Sequence, residues 1–174
     1  YSDKIKYLED IISKNDYPKN LKEHYFMKSN TNILIDDYDH FIFDFDGVLT
    51  NNLVYIDHNG IETVVCNRAD GLAFNALTKM KKNLIILSAE VNRVVEVRGE
   101  KLGALVIQGV EDKSEMLMNL SKSNKVDLKR TIYIGNDIND YYPMKKCAFS
   151  VCPANSHQKI IEISDYICNK EGGD

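Results

Sequence analysis

From residue 40 onward, short apolar runs alternate with longer amphipathic stretches, and four of the apolar runs stop on a polar cluster. Phe41-Ile-Phe43 leads into Asp44 and Asp46, and Leu84-Ile-Ile-Leu87 into Ser88. Ala104-Leu-Val-Ile107 leads into Gln108-Gly-Val-Glu-Asp-Lys113, and Thr131-Ile-Tyr-Ile134 into Gly135-Asn-Asp-Ile-Asn-Asp140. Unbroken apolar runs of this length suit strands buried on both faces, and strands alternating with helices specify a parallel sheet covered on each side. The expected fold class is therefore α/β, a Rossmann-like sheet with a β-hairpin added. In open sheets of this kind ligands bind beyond the carboxyl ends of the strands. The four polar clusters are thus expected to meet.

Read in detail, the pattern predicts strands at 40–45, 83–87, 104–107, 130–134 and 147–151, with a short one near 164–168. Helices are predicted near 70–82, 91–101, 112–123, 138–146 and 156–162. Leu53-Val-Tyr-Ile56 and Glu62-Thr-Val-Val-Cys66 flank Asp57-His-Asn-Gly60, a hairpin signal. Ile5, Leu8, Ile11 and Ile12 have helical spacing, which predicts an amphipathic helix over 3–14. Residues 15–38 read as irregular, so 1–37 is taken as an extension or linker and 38–174 as the main domain. The sequence opens on Tyr1 rather than Met, as a fragment lying behind an upstream domain would.

Within Phe41-Ile-Phe-Asp-Phe-Asp-Gly-Val-Leu-Thr50, Asp44 and Asp46 are separated by one residue. On extended backbone alternate side chains point the same way, so both carboxylates face one spot. At about 4 Å and an effective dielectric of about 20 they would repel by roughly 4 kcal/mol. A bound cation relieves this, and hard oxygen ligands suit Mg²⁺, which also takes substrate phosphates. A calcium loop starting at Asp44 is excluded, because its sixth and twelfth positions, which need Gly and Glu, hold Leu49 and Tyr55.

Composition narrows the classes. At 44% hydrophobic and 28% charged the chain is neither disordered nor a membrane protein, and no apolar run approaches a membrane span. No signal peptide is visible. A net charge of −4 with dispersed Lys and Arg gives no nucleic-acid footprint. Cys66, Cys147, Cys152 and Cys168 lack CxxC spacing and the four histidines form no HExxH, so reduced thiols in a cytoplasmic protein are expected and zinc is not.

The four polar clusters, in this order and spacing, resemble the four motifs of the haloacid dehalogenase (HAD) phosphatases, from about Phe41 to Asp165. The resemblance implies a catalytic set of Asp44, Asp46, Ser88, Lys113 and Asp140. Asp44 would attack phosphorus to form an aspartyl-phosphate. Asp46 would protonate the leaving oxygen and then take a proton from water. Ser88 would donate to a phosphoryl oxygen and Lys113 would offset the developing charge. Taken singly, Ser88 also fits a helix N-cap and Lys113 a solvent-facing helix position. The family's fourth motif is Gly-Asp-x-x-x-Asp, with the first Asp a metal ligand; here that position is Asn136, followed by Asp137. The implied Mg²⁺ ligands are therefore Asp44, Asp46 and either the Asn136 carbonyl or Asp137.

Positions 47–69 and 89–112, 23 and 24 residues, are taken up by the predicted hairpin, helix and strand, which leaves no room for a cap domain. The chain accordingly resembles the capless sugar-acid phosphatases, including 3-deoxy-octulosonate 8-phosphate phosphatases, their relatives acting on nine-carbon 9-phosphates, and similar domains fused behind N-acylneuraminate cytidylyltransferases. Asp46-Gly-Val-Leu-Thr-Asn51, Tyr55-Ile-Asp-His-Asn-Gly60, Asn67-Arg-Ala-Asp-Gly-Leu72, Gln108-Gly-Val-Glu-Asp-Lys113 and Tyr133-Ile-Gly-Asn-Asp carry this narrower likeness. It implies Arg68, Asp70, Ala89 and Glu90 as substrate-binding residues, and a homotetramer assembled through the hairpin. The octulosonate enzymes carry Thr-Gly-Arg where this chain has Ser88-Ala-Glu90, and Glu90 looks more like the nine-carbon branch; it is also a good first-turn helix residue. Lys170-Glu-Gly-Gly-Asp174 looks like the family's Gly-Gly-x-Gly tail cut short, which in relatives reaches a neighbour's site. The alternative function is an oligomerisation domain of a cytidylyltransferase, weakly active or inactive.

Overall fold

The computed structural model describes residues 34–174. The chain divides into two units, Tyr1–Asp37 and Tyr38–Asp174. Of the first, the described part is a single 3-10 turn, Ile35–Asp37; the helix expected over 3–14 lies outside the described residues.

The second unit is built on a six-stranded parallel sheet. In chain order its strands are β1 (His40–Phe43), β4 (Asn83–Leu87), β5 (Leu105–Ile107), β6 (Thr131–Ile134), β7 (Phe149–Cys152) and β8 (Tyr166–Ile167). They lie side by side as β5-β4-β1-β6-β7-β8. β1 is central, with Phe41 registered against Leu84 on one side and Ile132 on the other. The order reverses at β1, so the loops leaving β1, β4 and β6 open on one crevice.

Five helices link the strands: α1 (Asp70–Lys79), α2 (Arg93–Leu102), α3 (Lys113–Lys122), α4 (Tyr141–Lys146) and α5 (Gln158–Ile163). Alternate strand side chains serve opposite faces. Ile42, Ile85, Leu87 and Tyr133 pack with Leu117 of α3 and Ile160 of α5. On the opposite face Phe43 meets Phe74 of α1 with ring centroids 4.7 Å apart. Gly99 of α2 lies so close to β5 that a Cβ would sit 2.1 Å from Val106 Cγ2. Among the described residues no helix is long and apolar enough to cross a membrane.

Several boundaries differ from the sequence reading. β1 stops at Phe43, because the chain turns from Phe45, whose carbonyl accepts from the amides of Val48, Leu49 and Thr50. α2 begins at Arg93, capped by Asn92, whose side chain accepts from Val94 N at 3.1 Å. Ser88 is thus not the N-cap. The hairpin strands shrink to β2 (Tyr55–Ile56) and β3 (Glu62–Thr63), since no second layer covers them. Its turn forms as expected: Asp57 Oδ1 accepts from Asn59 N and Ile61 N, and Gly60 takes φ +76°.

Candidate active site

The predicted strand-end clusters converge. Asp44, Asp46, Ser88, Ala89, Glu90, Asn136 and Asp137 line one cleft of about 250 Å³, joined by Asn52 and Asn139. Asp44 follows β1 directly and is held by its own backbone; its Oδ1 accepts from Phe45 N at 2.7 Å. The loop after it turns at Gly47, with φ +81°. Glycine is needed there twice over, because a Cβ would also lie 2.0 Å from Asn136 Nδ2. Thr50, fully buried, ties the loop together: its hydroxyl accepts from Gly47 N and Asn52 N and donates to Asp46 Oδ1 at 3.4 Å.

Behind the cleft lies a buried ionic cluster. Asp112 caps α3 by accepting from Glu115 N, and the helix then aims Lys113 inward. Lys113 Nζ stands 2.7 Å from Asp44 Oδ1 and 2.8 Å from Asp140 Oδ1, and only 2% of the lysine is exposed. A lysine buried alone would lose its proton; burial does pull its pKa down, but the two carboxylates outweigh that and the net shift is upward. Lys113 is therefore the charged partner of Asp44 rather than a surface lysine.

Asp140 is fully buried and lies behind the lining of the cleft. Its Oδ1 accepts from Lys113 and from Tyr133 Oη at 2.9 Å, and its Oδ2 from Asn136 N at 3.0 Å and Asp137 N at 3.3 Å. It thus holds Lys113 and the β6 loop in one geometry. Tyr133 carries no role in the sequence reading. Its signal was a tyrosine in a run of buried aliphatics, whose hydroxyl must find a partner when buried.

Asp44 and Asp140 face one ammonium, and Asp46 lies in the same cleft. Burial first, and then Asp140, push Asp44 up to about 8 against the pull of Lys113. Burial, then Glu90, also raise Asp46. An added positive charge would favour the ionised form of both acids. The Asn136 Oδ1 is buried in the cleft wall with no hydrogen-bond partner. An orphan carbonyl oxygen beside two carboxylates is a donor set that fits a hard cation. Among the described residues no three Asp, Glu, His or Cys side chains form a metal cluster. Asp137 is exposed, and its Oδ1 is engaged by Ile138 N at 2.7 Å as a cap of the following 3-10 turn.

The β4 loop forms the opposite wall. Ser88, 1% exposed, accepts from Glu90 N at 3.0 Å, so its own proton is directed elsewhere. Glu90 Oε1 accepts from Val91 N and Asn92 N, which folds the side chain back on its loop. Arg68 and Asp70 do not line the cleft. Arg68 is exposed, and Asp70 at the start of α1 pairs with Arg98 of α2 at 3.1 Å, joining two helices. Sequence reasoning also passed over Asn52 and Asn139, whose types carry no motif signal.

A family model described as haloacid dehalogenase-like hydrolase matches residues 2–173. The chain belongs to the haloacid dehalogenase-like hydrolases. Within that family it is a capless phosphomonoester hydrolase, and its relatives agree. The 3-deoxy-D-manno-octulosonate 8-phosphate phosphatase of Salmonella typhi is 29% identical over 133 residues, 76% of this chain and 71% of the relative. The crystal structure of the Moraxella catarrhalis 3-deoxy-D-manno-octulosonate 8-phosphate phosphatase, in complex with a magnesium ion, a phosphate ion and KDO, superposes with TM-score 0.76. It is 30% identical, over 80% of this chain and 81% of that one. The cobalt-bound Haemophilus influenzae deoxy-D-mannose-octulosonate 8-phosphate phosphatase gives TM-score 0.75 at 26% identity, over 80% and 82%.

Proposed function

We propose that this HAD hydrolase is a Mg²⁺-dependent phosphatase that removes the phosphate of an eight- or nine-carbon keto sugar acid through an aspartyl-phosphate on Asp44. The observation that carries the reading is the Lys113 ammonium bridging Asp44 and Asp140 behind a cleft whose wall holds the unpartnered Asn136 Oδ1. Asp44, Asp46 and Asn136 would hold the cation, with Asp137 at the rim, and the bound ion would neutralise charge on the phosphoryl oxygens.

The residues divide the work as follows. The contacts from Phe45 N and Lys113 both fall on Asp44 Oδ1, and Oδ2 would attack phosphorus. As the P–O bond of the ester breaks, Asp46 gives its proton to the departing alkoxide. Water then attacks phosphorus, Asp46 takes a proton from it, and inorganic phosphate leaves with the Asp44 carboxylate restored. Ser88 donates to a phosphoryl oxygen, and Lys113 offsets the charge that develops on Asp44 and the phosphoryl group.

The cleft also bears on the substrate. It is lined by four acids and no lysine or arginine, and about 250 Å³ lies below the ~300–1,000 Å³ that encloses a drug-sized ligand. A sugar acid therefore places its phosphate and neighbouring hydroxyls here and its carboxylate outside. The missing cations and walls would come from other copies in a homotetramer. Leu53, Val54, Tyr55, Ile56 and Ile61 of the hairpin are each more than half exposed, an apolar patch suited to that contact. Arg68, exposed just before α1, would act at the same margin. Glu90 in the wall favours a hydroxyl-bearing chain over a second anion and supports the nine-carbon choice. Four unpaired cysteines among the described residues suit the cytoplasm.

The test is phosphate release from 3-deoxy-octulosonate 8-phosphate and an N-acylneuraminate 9-phosphate, with and without chelator. Turnover should vanish on chelation and fall by at least about 10³-fold in Asp44→Asn. Full activity in either case overturns the mechanism. A tetramer that hydrolyses neither substrate would instead favour the assembly-domain reading.

A further inference from the structure

The segment Lys170–Asp174 packs against the loop that follows Asp46. Gly173 N donates to Val48 O at 3.1 Å. The fit at Gly172 is too close for any side chain: a Cβ would lie 2.0 Å from Gly47 O and 2.9 Å from Thr50 O, both backbone atoms that cannot swing aside. Gly173 adopts φ +78°, and a Cβ there would meet Asn51 N at 2.7 Å. The same segment is held from its other side by the loop 153–157. Ala154 N donates to Lys170 O at 2.9 Å, and Gly172 N donates to Asn155 Oδ1 at 3.0 Å. That loop in turn reaches the β6 cluster, where His157 N donates to Asn136 O at 2.8 Å.

These contacts close a ring. Asn136 touches Gly47; Gly47 and Val48 touch Gly172 and Gly173; Gly172 is fixed by Asn155; and His157, two residues on, fixes the Asn136 backbone. We infer that Asn155 and Gly172 are positioning residues for the cation site, a brace that sets how closely Asn136 Oδ1 approaches the Asp46 loop. The inference rests on the reading of Asn136 as a metal-facing oxygen. The physical reason for a brace is local. Asn136 and Asp46 sit on loops from different strands, and no hydrogen bond in the structure joins their side chains. Oxygen ligands for a hard cation must nevertheless be held at fixed separation. Outer residues that orient such ligands commonly govern affinity as much as the ligands do.

Three variants of the full chain separate positioning from simple packing. Asn155→Leu keeps the volume but cannot accept from Gly172 N. Asn155→Asp can still accept and serves as the rescue. Gly172→Ala forces a methyl against Gly47 O. Mn²⁺ alone, titrated and followed by water-proton relaxation, measures the site without turnover. We expect Asn155→Leu and Gly172→Ala to bind Mn²⁺ about 10-fold more weakly, with Asn155→Asp at the wild-type value. Amide exchange at Gly47 and Val48 should quicken in the first two only. Wild-type affinity in Asn155→Leu, or unchanged exchange at Gly47 and Val48, overturns the brace while the phosphatase reading stands. If the wild-type chain takes up no Mn²⁺, the metal reading falls and the inference with it.

Discussion

At residue scale, the unusual position is Asn136. Where the family pattern has a carboxylate, this chain presents a neutral oxygen that is buried and unpartnered. A carboxylate there adds one negative charge to a cation's shell. Asn136→Asp should therefore tighten Mg²⁺ and raise turnover at limiting metal. Mg²⁺ titration of both proteins checks this; no gain in affinity would move the role to Asp137. Lys113 supports a second expectation. Removing one partner of a buried ion pair leaves the other uncompensated, typically at about 3–5 kcal/mol. Lys113→Met leaves Asp44 and Asp140 without their shared ammonium. Its chemical unfolding should show a loss of that order besides the loss of activity. A variant as stable as wild type would mean that the two acids had simply taken up protons.

At the scale of elements, the strand starts are as informative as the strand ends. His40 opens β1 and is buried, with its Nδ1 at 3.3 Å from Asn83 Nδ2 of β4, an amide donor that requires an unprotonated ring nitrogen. Burial lowers its pKa below the ordinary 6.5, and Asp39 and Asp127 offset only part of that. The unfolded chain thus binds a proton that the folded chain refuses, so stability rises with pH across this range. His40 should cost stability progressively as pH falls below 6.5 toward its lower folded value. In His40→Gln, which can still accept from Asn83, that part of the acid sensitivity should disappear. Urea midpoints at neutral and mildly acidic pH measure it; equal acid losses in both proteins would show that other groups carry the dependence. The Asp70–Arg98 pair makes a different point at this scale. A motif residue expected at the substrate is used here to tie α1 to α2.

At the scale of the whole molecule, the exposed hairpin is the feature that one chain leaves unfinished. Ile56→Glu should convert the proposed tetramer to smaller species in light scattering and lower turnover without unfolding the sheet, because Ile56 is 63% exposed and supports no core. A tetramer unaffected by the change would place the contact elsewhere. The sequence by itself determined the layered α/β fold and the position of Asp44, Asp46, Ser88 and Lys113 at strand ends. Strand burial, helix periodicity and the two-residue repeat along β1 are local rules that hold before any contact forms. It also gave the absence of a cap, since the lengths between the clusters are fixed by counting. Tertiary structure alone decided what each polar group does. Whether Lys113 faces water or Asp44, and whether Ser88 caps a helix or lies in the cleft wall, depend on partners far away in the chain. So do the roles of Tyr133 and Asn155, whose hydrogen bonds to Asp140 and Gly172 exist only once the sheet has brought the loops together. Burial and charge pairing are properties of neighbours in space, and a linear pattern carries no record of which neighbours those will be.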